Sequence, residues 1–251
     1  MSREEVKETF AKYGIYENAE IVVLGSSNVD EKLIWFLQNG KLTSFEGPDA
    51  YVRVGNEVLI IEHFSIDGYA THRHGSSKLR ENEVLAKRAA EEKLNGKPYG
   101  SYTQNLGLIN SYKDFLANSK ARFDKHYRHI EDYKQKLIEE GVADATSEFT
   151  VCFLMDESSP LGTLTHDGMH TRPVCLGYSK EFLVFFEQRK NVDWIISAVV
   201  SPTGEYTPYF FSQKDVVELE QRCFDYGSYQ FLSSDTRQTY FQSTIPQDEK
   251  T

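Results

Sequence analysis

The hydrophobic and polar positions between residues 48 and 67 follow the pattern of a tight β-hairpin. Apolar and polar residues alternate over residues 51–54, and residues 58–61 form a continuous apolar run. The dipeptide Gly55-Asn56 between them is typical of two-residue turns that need positive φ. An uninterrupted apolar run predicts a strand that is buried on both faces. We therefore expect two antiparallel strands joined by this turn.

Two carboxylates flank the predicted hairpin at the same end. Asp49 stands just before the first strand, and Glu62 follows four apolar residues of the second strand, where an isolated charge is costly to bury. Antiparallel pairing would bring the two side chains close enough to share a metal ion. Each residue also has an ordinary structural interpretation, because Pro48-Asp49 suits a turn and Glu62 could pair with Arg53 or Arg73.

The remaining pattern predicts one α/β domain over residues 1–251. Residues 111–140 form the longest helical pattern, with apolar residues at helical spacing and one densely charged face. Residues 180–188 fit either a helix or a strand, and the glycine-rich, polar residues 97–109 predict a loop. We expect a helical insertion at about 84–142, and a polar, partly loose tail over roughly the last 25 residues. Further strands are expected at residues 19–24, 149–155, 194–200 and 206–211.

Composition narrows the class of protein. Hydrophobic residues make up 39% of the chain and aromatic residues 13%, which is enough to bury a core, so the chain should be globular. It has no apolar run of about 18 residues to span a membrane, and its charged N-terminus lacks the apolar segment of a signal peptide. Cys152, Cys175 and Cys223 form no C-x-x-C pair, which suits a reducing cytosol. These features predict a cytoplasmic protein without a membrane partner.

The charge distribution bears on possible partners. The net charge of −10 counts against a broad basic surface for nucleic acid. A local basic segment at residues 72–80 follows Glu62 closely and could receive phosphate, although a solvated loop and helix start is its other interpretation. The charged face of residues 111–140 is a possible contact surface for a protein partner or a homo-oligomer.

The order helix, strand, Asp-bearing strand, Glu-bearing strand, helix, strand resembles the PD-(D/E)xK phosphodiesterase superfamily, which has the restriction-endonuclease-like fold. The matching residues are Pro48-Asp49, and then the segment Ile60-Ile61-Glu62-His63-Phe64. The resemblance covers residues 30–95 and, more loosely, the strand near 149–155. It implies a mixed β-sheet flanked by helices, and a nuclease that hydrolyses phosphodiester bonds of DNA or RNA.

The resemblance also implies a metal site. Asp49 and Glu62 would hold Mg²⁺ or Mn²⁺, and the backbone carbonyl of His63 would complete the ligand set. The side chain of His63 should point to the opposite face of the sheet, because side chains alternate along a strand.

The chain departs from the family pattern at one position. Phe64 stands where a lysine is expected to orient the attacking water and stabilise developing charge. Lys78, at the start of the following helix, is the first candidate to replace it as a catalytic residue, and Lys87 is the second. Otherwise the site is inactive and the fold serves binding only.

A second cluster offers a different chemistry. His166, Asp167 and His170 lie within five residues and could bind zinc, although a polar loop with incidental histidines is the other interpretation. The sequence contains no P-loop, dinucleotide-binding or G-x-S-x-G motif. Nucleotide hydrolysis by a P-loop, a dinucleotide cofactor and an α/β-hydrolase triad are therefore disfavoured.

Overall fold

The computed structural model describes most of the chain. The described residues are 5–15, 22–68, 84, 85, 88, 92, 99–105, 111–157, 161–164, 171–200, 206–223, 231–233 and 236–242. Within them, helices flank a seven-stranded mixed sheet. This confirms the predicted α/β class and the expectation of a mixed sheet flanked by helices.

The strands form one large sheet and two small ones. In chain order the strands are β1 (Val22–Val23), β2 (Thr43–Ser44), β3 (Ala50–Val54), β4 (Glu57–Ile66), β5 (Tyr99–Asn105), β6 (Glu148–Glu157), β7 (Leu161–Leu164), β8 (Thr171–Pro173), β9 (Trp194–Val200), β10 (Tyr206–Ser212), β11 (Phe231–Ser233) and β12 (Thr236–Gln242). In the large sheet the spatial order is β1-β10-β9-β6-β4-β3-β2, and the central strands β4, β6 and β9 run parallel to one another. The other neighbours are antiparallel, except that β1 runs parallel to β10.

Helices pack on both faces of the large sheet. In chain order they are α1 (Glu5–Lys12), α2 (Val29–Asn39), α3 (Tyr112–Tyr127), α4 (Ile130–Glu139), α5 (Lys180–Glu187) and α6 (Val216–Glu220). Ile61 of β4 belongs to the core on the side of α1 and α2, together with Phe36 of α2. Ile60 and Phe64 of the same strand belong to the opposite core, together with Phe123 of α3. β4 is therefore buried on both faces, as its apolar run predicts.

The predicted hairpin is present between β3 and β4. Val54 pairs with Glu57 across the turn, and Gly55 has a φ of +60°. At the other end of the ladder, Ala50 pairs with Ile61. The next residue outward on each strand is the predicted acid, so the register alone places Asp49 opposite Glu62.

Two sequence predictions are corrected. The helix expected over 111–140 is divided, since α3 ends at Tyr127 and α4 begins at Ile130. The segment 97–109, expected to be a loop, contains β5. The tail, expected to be partly loose, includes β11 and β12 among its described residues. β5 pairs with β12 along its whole length, so long-range pairing overrides a glycine-rich, polar composition.

Two further predictions are clarified. The ambiguous segment 180–188 is helical as α5, and the side chain of Ser179 caps it by accepting a hydrogen bond from the amide of Phe182. The expected insertion at 84–142 includes α3 and α4 as well as β5. Among the residues described, no helix has the length and apolar character needed to cross a membrane.

Candidate active site

Asp49 and Glu62 meet where the β3–β4 ladder ends. The backbone amide of Asp49 donates to Oε2 of Glu62 at 3.3 Å. In return, the backbone amide of His63 donates to Oδ2 of Asp49 at 2.9 Å. Each carboxylate thus accepts a bond from the backbone of the opposite strand. The two side chains continue the ladder beyond the last backbone pair and are held beside each other.

The proximity of the two acids changes the acidity of Asp49. Burial of the carboxyl, and then the neighbouring charge of Glu62, raise the pKa of Asp49 to about 6. The hydrogen bond from the amide of His63 and the charge of His126 act in the opposite direction. The net rise means that the folded protein disfavours the ionised form of Asp49, mainly because the carboxyl is buried. A cation bound between the acids would favour the ionised form.

Glu62 is held by two side chains that come from the helices. It is only 5% exposed, and its Oε1 accepts a hydrogen bond from the hydroxyl of Tyr133 at 2.9 Å. The same oxygen lies 2.5 Å from Nδ1 of His126. Such bonds to a charged group offset the cost of burying it. Burial and the charge of Glu62 raise the pKa of Tyr133, so its phenol stays protonated and keeps donating.

Phe64 stands at the position where the resemblance to PD-(D/E)xK phosphodiesterases implies a lysine. It is a buried aromatic residue that contacts the cluster through His126. The residue is 4% exposed and packs edge-to-face on Phe153, with ring centroids 5.6 Å apart. On its other side it stacks against the imidazole of His126. Nε2 of His126 makes no hydrogen bond to any residue that the structure describes. Phe64 of β4, which carries no charge, thus packs against the imidazole of His126 from α3.

The side chain and the backbone of His63 face different parts of the structure. Its side chain points to the opposite face of the sheet, as alternation predicts, where Nε2 lies 3.3 Å from Oγ1 of Thr9. Its amide faces Asp49. The carbonyl of a strand residue lies on the same edge as its amide, so the carbonyl of His63 faces the end of β3. Burial lowers the pKa of the imidazole, which favours the neutral ring.

Several predicted residues lie outside the described part of the chain. These are Lys78, Lys87, the basic segment 72–80, and the two histidines of the zinc alternative, His166 and His170. In the part that is described, no group of three or more His, Cys, Asp or Glu side chains is arranged to hold a metal ion. The proposed set of two carboxylates and one backbone carbonyl is smaller than such a group, so the two observations are compatible.

Two of the three cysteines, Cys152 and Cys175, are poorly suited to act as nucleophiles. Cys152 and Cys175 are buried, and Cys152, Cys175 and Cys223 form no disulfide bond. Burial raises the pKa of the Cys175 thiol to about 12, and it raises that of Cys152 as well. Both thiols are therefore protonated at neutral pH, which suits inert core residues.

His126 and Tyr133 were not predicted as site residues from the sequence. They are seven residues apart and fall in the same stripe as Phe123, Ile130 and Leu137, all of which are buried. A histidine inside an apolar stripe is the signal that could have identified them. The dense charge of the surrounding residues makes the whole segment resemble a solvated face.

Asp49, Glu62, His126 and Tyr133 form one connected polar cluster at the end of the hairpin. Two of these side chains come from the sheet and two from the helices that cover it. The cluster combines an acid pair with a basic ring, which suits binding a cation or a polar ligand. In comparisons with family models, curated proteins and solved structures, none matches the chain.

Proposed function

We propose that the chain is a divergent, metal-dependent nuclease-like protein that hydrolyses phosphodiester bonds of DNA or RNA. The observation that carries this proposal is the convergence of Asp49 and Glu62 just beyond the last backbone pair of the β3–β4 ladder. The order α2, β2, β3, β4, β5, α3, α4, β6 supports it, because apart from β5 it agrees with the order that the resemblance to PD-(D/E)xK phosphodiesterases implies. β6 also runs parallel to β4, beside the strand that carries Glu62.

The residues present fit a divalent cation with a preference for oxygen ligands. The carboxylates of Asp49 and Glu62 and the carbonyl of His63 would hold Mg²⁺ or Mn²⁺. Burial and the charge of Glu62 raise the pKa of Asp49, and a bound cation would favour its ionised form. When bound, the metal supplies charge neutralisation on the phosphate and an acidified water.

The surrounding residues would keep the ligand set in place. Tyr133 and His126 both bond to Oε1 of Glu62, which leaves Oε2 as the oxygen nearer Asp49. They therefore fix the direction in which Glu62 points. We propose Lys78, and Lys87 as second choice, for the charge-stabilising role that Phe64 cannot fill.

A non-catalytic binding protein on the same scaffold is the second candidate. One observation favours it: Oε1 of Glu62 is already engaged by two donors, so the acid has a structural partner without any metal. In that case the cluster would serve to join α3 and α4 to the sheet. The charged surface of these helices would then be the contact surface for a nucleic acid, a protein partner or a second copy.

Cleavage assays separate the two candidates. Plasmid DNA and a structured RNA are incubated with Mg²⁺ or Mn²⁺ and with the wild type, Glu62→Gln, Asp49→Asn or Glu148→Gln. Glu148 is exposed at the start of β6 and serves as the matched control. We expect Glu62→Gln and Asp49→Asn to lose about 100-fold or more of the cleavage rate, since both remove a proposed metal ligand. Equal cleavage by the wild type and Glu62→Gln would refute the proposed site, and no cleavage by folded wild type would favour the binding protein.

A further inference from the structure

The charged helices α3 and α4 differ in the sign of their charge. In α3 the lysine and arginine residues outnumber the acids, whereas in α4 the acids outnumber the lysines. The whole chain has a net charge of −10, so α3 is a local exception to its acidic composition. A partner that is attracted to one of the two helices is therefore repelled by the other.

Three exposed basic residues form a row on α3 and at its end. Arg122, Lys125 and Arg128 recur at every third position, and all three are exposed. Residues three apart on a helix are neighbours, with about 5–6 Å between their Cβ atoms. The three side chains make no ion pair or hydrogen bond with any residue that the structure describes. We call these three residues the basic row.

Other charged groups of the two helices are paired within the protein. Asp124 of α3 forms an ion pair with Arg189, in which Oδ1 lies 3.0 Å from Nε. Lys134 of α4 pairs with Glu131 at 2.8 Å. The basic row has no such pairing among the described residues. Its positive charge is therefore available to attract a polyanion.

The basic row lies close to the acid pair of the candidate site. The side chain of Asn118 donates to the backbone carbonyl of Asp67 at 2.9 Å. About two turns further along α3, Nδ1 of His126 lies 2.5 Å from Oε1 of Glu62. Arg122 is four residues from both Asn118 and His126, so it lies between these two contacts on the same side of the helix. A polymer bound along the row would therefore pass beside Glu62.

We propose that the basic row binds the phosphate backbone of nucleic acid and directs the strand to Asp49 and Glu62. Six residues of helix extend about 9 Å, and a nucleic-acid strand advances about 3.4 Å per nucleotide. The row can therefore contact roughly three successive phosphates. Arginine and lysine both bind phosphate through charge-assisted hydrogen bonds. The choice of nucleic acid over an acidic protein rests on the proposed function, because the acid pair beside the row is the proposed cleavage site.

Fluorescence anisotropy tests the proposal on the full chain. Labelled oligothymidylate and oligouridylate are titrated separately in the presence of EDTA, so that metal-dependent cleavage does not occur. Polyglutamate is the competitor that represents an acidic protein. We expect saturable binding of at least one oligonucleotide, with an affinity that falls steeply as the salt concentration rises. The proposal is overturned if neither oligonucleotide binds, or if polyglutamate displaces the oligonucleotide at an equal concentration of negative charge.

Two double variants with the same change in net charge locate the surface. We expect Arg122→Gln/Lys125→Gln to weaken binding about tenfold or more at roughly 0.1 M salt, because two phosphate contacts are lost. The plot of log K against log salt should become shallower by about 1.4, which is the value for two contacts on a single strand. Both positions are exposed, so the fold should be retained.

Lys41→Gln/Lys214→Gln is the matched control. Both lysines are exposed. Lys41 precedes β2 on the side of the hairpin turn, and Lys214 follows β10, which is three places from β4 in the sheet. We expect this variant to keep most of the affinity of the wild type. Equal weakening by the two double variants would show that only the net charge matters, and it would refute the row.

The binding assay and the cleavage assay can fail independently. Cleavage by the wild type together with an unchanged affinity of Arg122→Gln/Lys125→Gln would leave the nuclease proposal standing and refute the basic row. Binding that depends on the row, without any cleavage, would support the row and favour the non-catalytic binding protein.

Discussion

The imidazole of His126 lies parallel to the phenyl ring of Phe64, with ring centroids 4.7 Å apart and an interplanar angle of 4°. This stack places Nδ1 of His126 at 2.5 Å from Oε1 of Glu62. Phe64 has no charge of its own, yet it supports a basic ring beside the acid. Phe64 therefore affects Glu62 indirectly, through His126 of α3.

The contribution of His126 to stability can be measured with His126→Phe. The new ring can keep the stack on Phe64, while Glu62 loses one of its two side-chain donors. We expect the free energy of unfolding to fall by about 1–3 kcal/mol, because a buried charged acceptor is left with fewer bonds. Urea denaturation at neutral pH gives this value. His129→Phe is the matched control, since His129 is exposed, and an equal loss in both variants would contradict the explanation.

Tyr133→Phe tests the second donor to Glu62. It removes one hydroxyl and nothing else, and we expect a loss of about 1–3 kcal/mol in the free energy of unfolding. Tyr127→Phe removes a hydroxyl that makes no hydrogen bond with a described residue, so its effect should stay within about 0.5 kcal/mol. The same denaturation curves decide the question. Indistinguishable values for the two tyrosine variants would show that the bond to Glu62 contributes little.

The pKa of Asp49 predicts a pH dependence of stability. It is about 6 in the folded protein, against roughly 3.9 in an unfolded chain. Between these values the folded state holds a proton that the unfolded state has released, so the contribution of Asp49 to stability falls as pH rises. Asp49→Asn removes this titration and still offers an oxygen to the amide of His63. We expect the variant to gain stability relative to the wild type between about pH 4 and pH 6.5.

Parallel urea titrations of the wild type and Asp49→Asn at several pH values measure that difference. Asp144→Asn is a useful control, since Asp144 is an exposed acid whose pKa is lowered by its bonds to Thr146. The stability of Asp144→Asn relative to the wild type should change with pH in the opposite direction. This variant should lose stability relative to the wild type as the pH rises, because the pKa of Asp144 is lowered in the folded state. A flat difference for Asp49→Asn would show that the acid ionises at its ordinary pKa.

Metal binding can be detected without any cleavage. Millimolar Mn²⁺ should raise the Tm of the wild type, because a ligand that binds only the folded state stabilises it. The rise should be larger at about pH 7.5 than at about pH 5.5, since protons compete for Asp49 at the lower pH. Glu62→Gln should reduce the rise and Glu148→Gln should not. A rise of equal size in all three proteins would place the metal elsewhere.

The hairpin could be predicted from the sequence because its signals are local. Gly55-Asn56 determines the turn, and the apolar run before Glu62 indicates burial on both faces. Once the turn is known, the register follows by counting, and the meeting of Asp49 and Glu62 follows from the register. The structure adds the exchange of backbone bonds between them, which depends on side-chain rotamers.

The rest of the cluster depends on contacts between distant segments. No Gly or Pro marks the end of α3, so the sequence gives no local reason to divide the helix at Arg128 and His129. The donors to Glu62 come from residues more than sixty positions away in the chain. Helical periodicity gives the face of a helix that is buried, but not the strand residue that each side chain meets. β5 and β12 show the same limit for strand pairing.

The reciprocal bonds between Asp49 and Glu62 have an evolutionary consequence. Because each position also fastens the opposite strand, selection for a stable sheet would retain a hydrogen-bond acceptor at both positions even in a lineage without catalysis. Acidic residues at 49 and 62 would then be a poor marker of activity when related sequences are sorted. His126 also bonds to Glu62, so stability alone would explain its retention too.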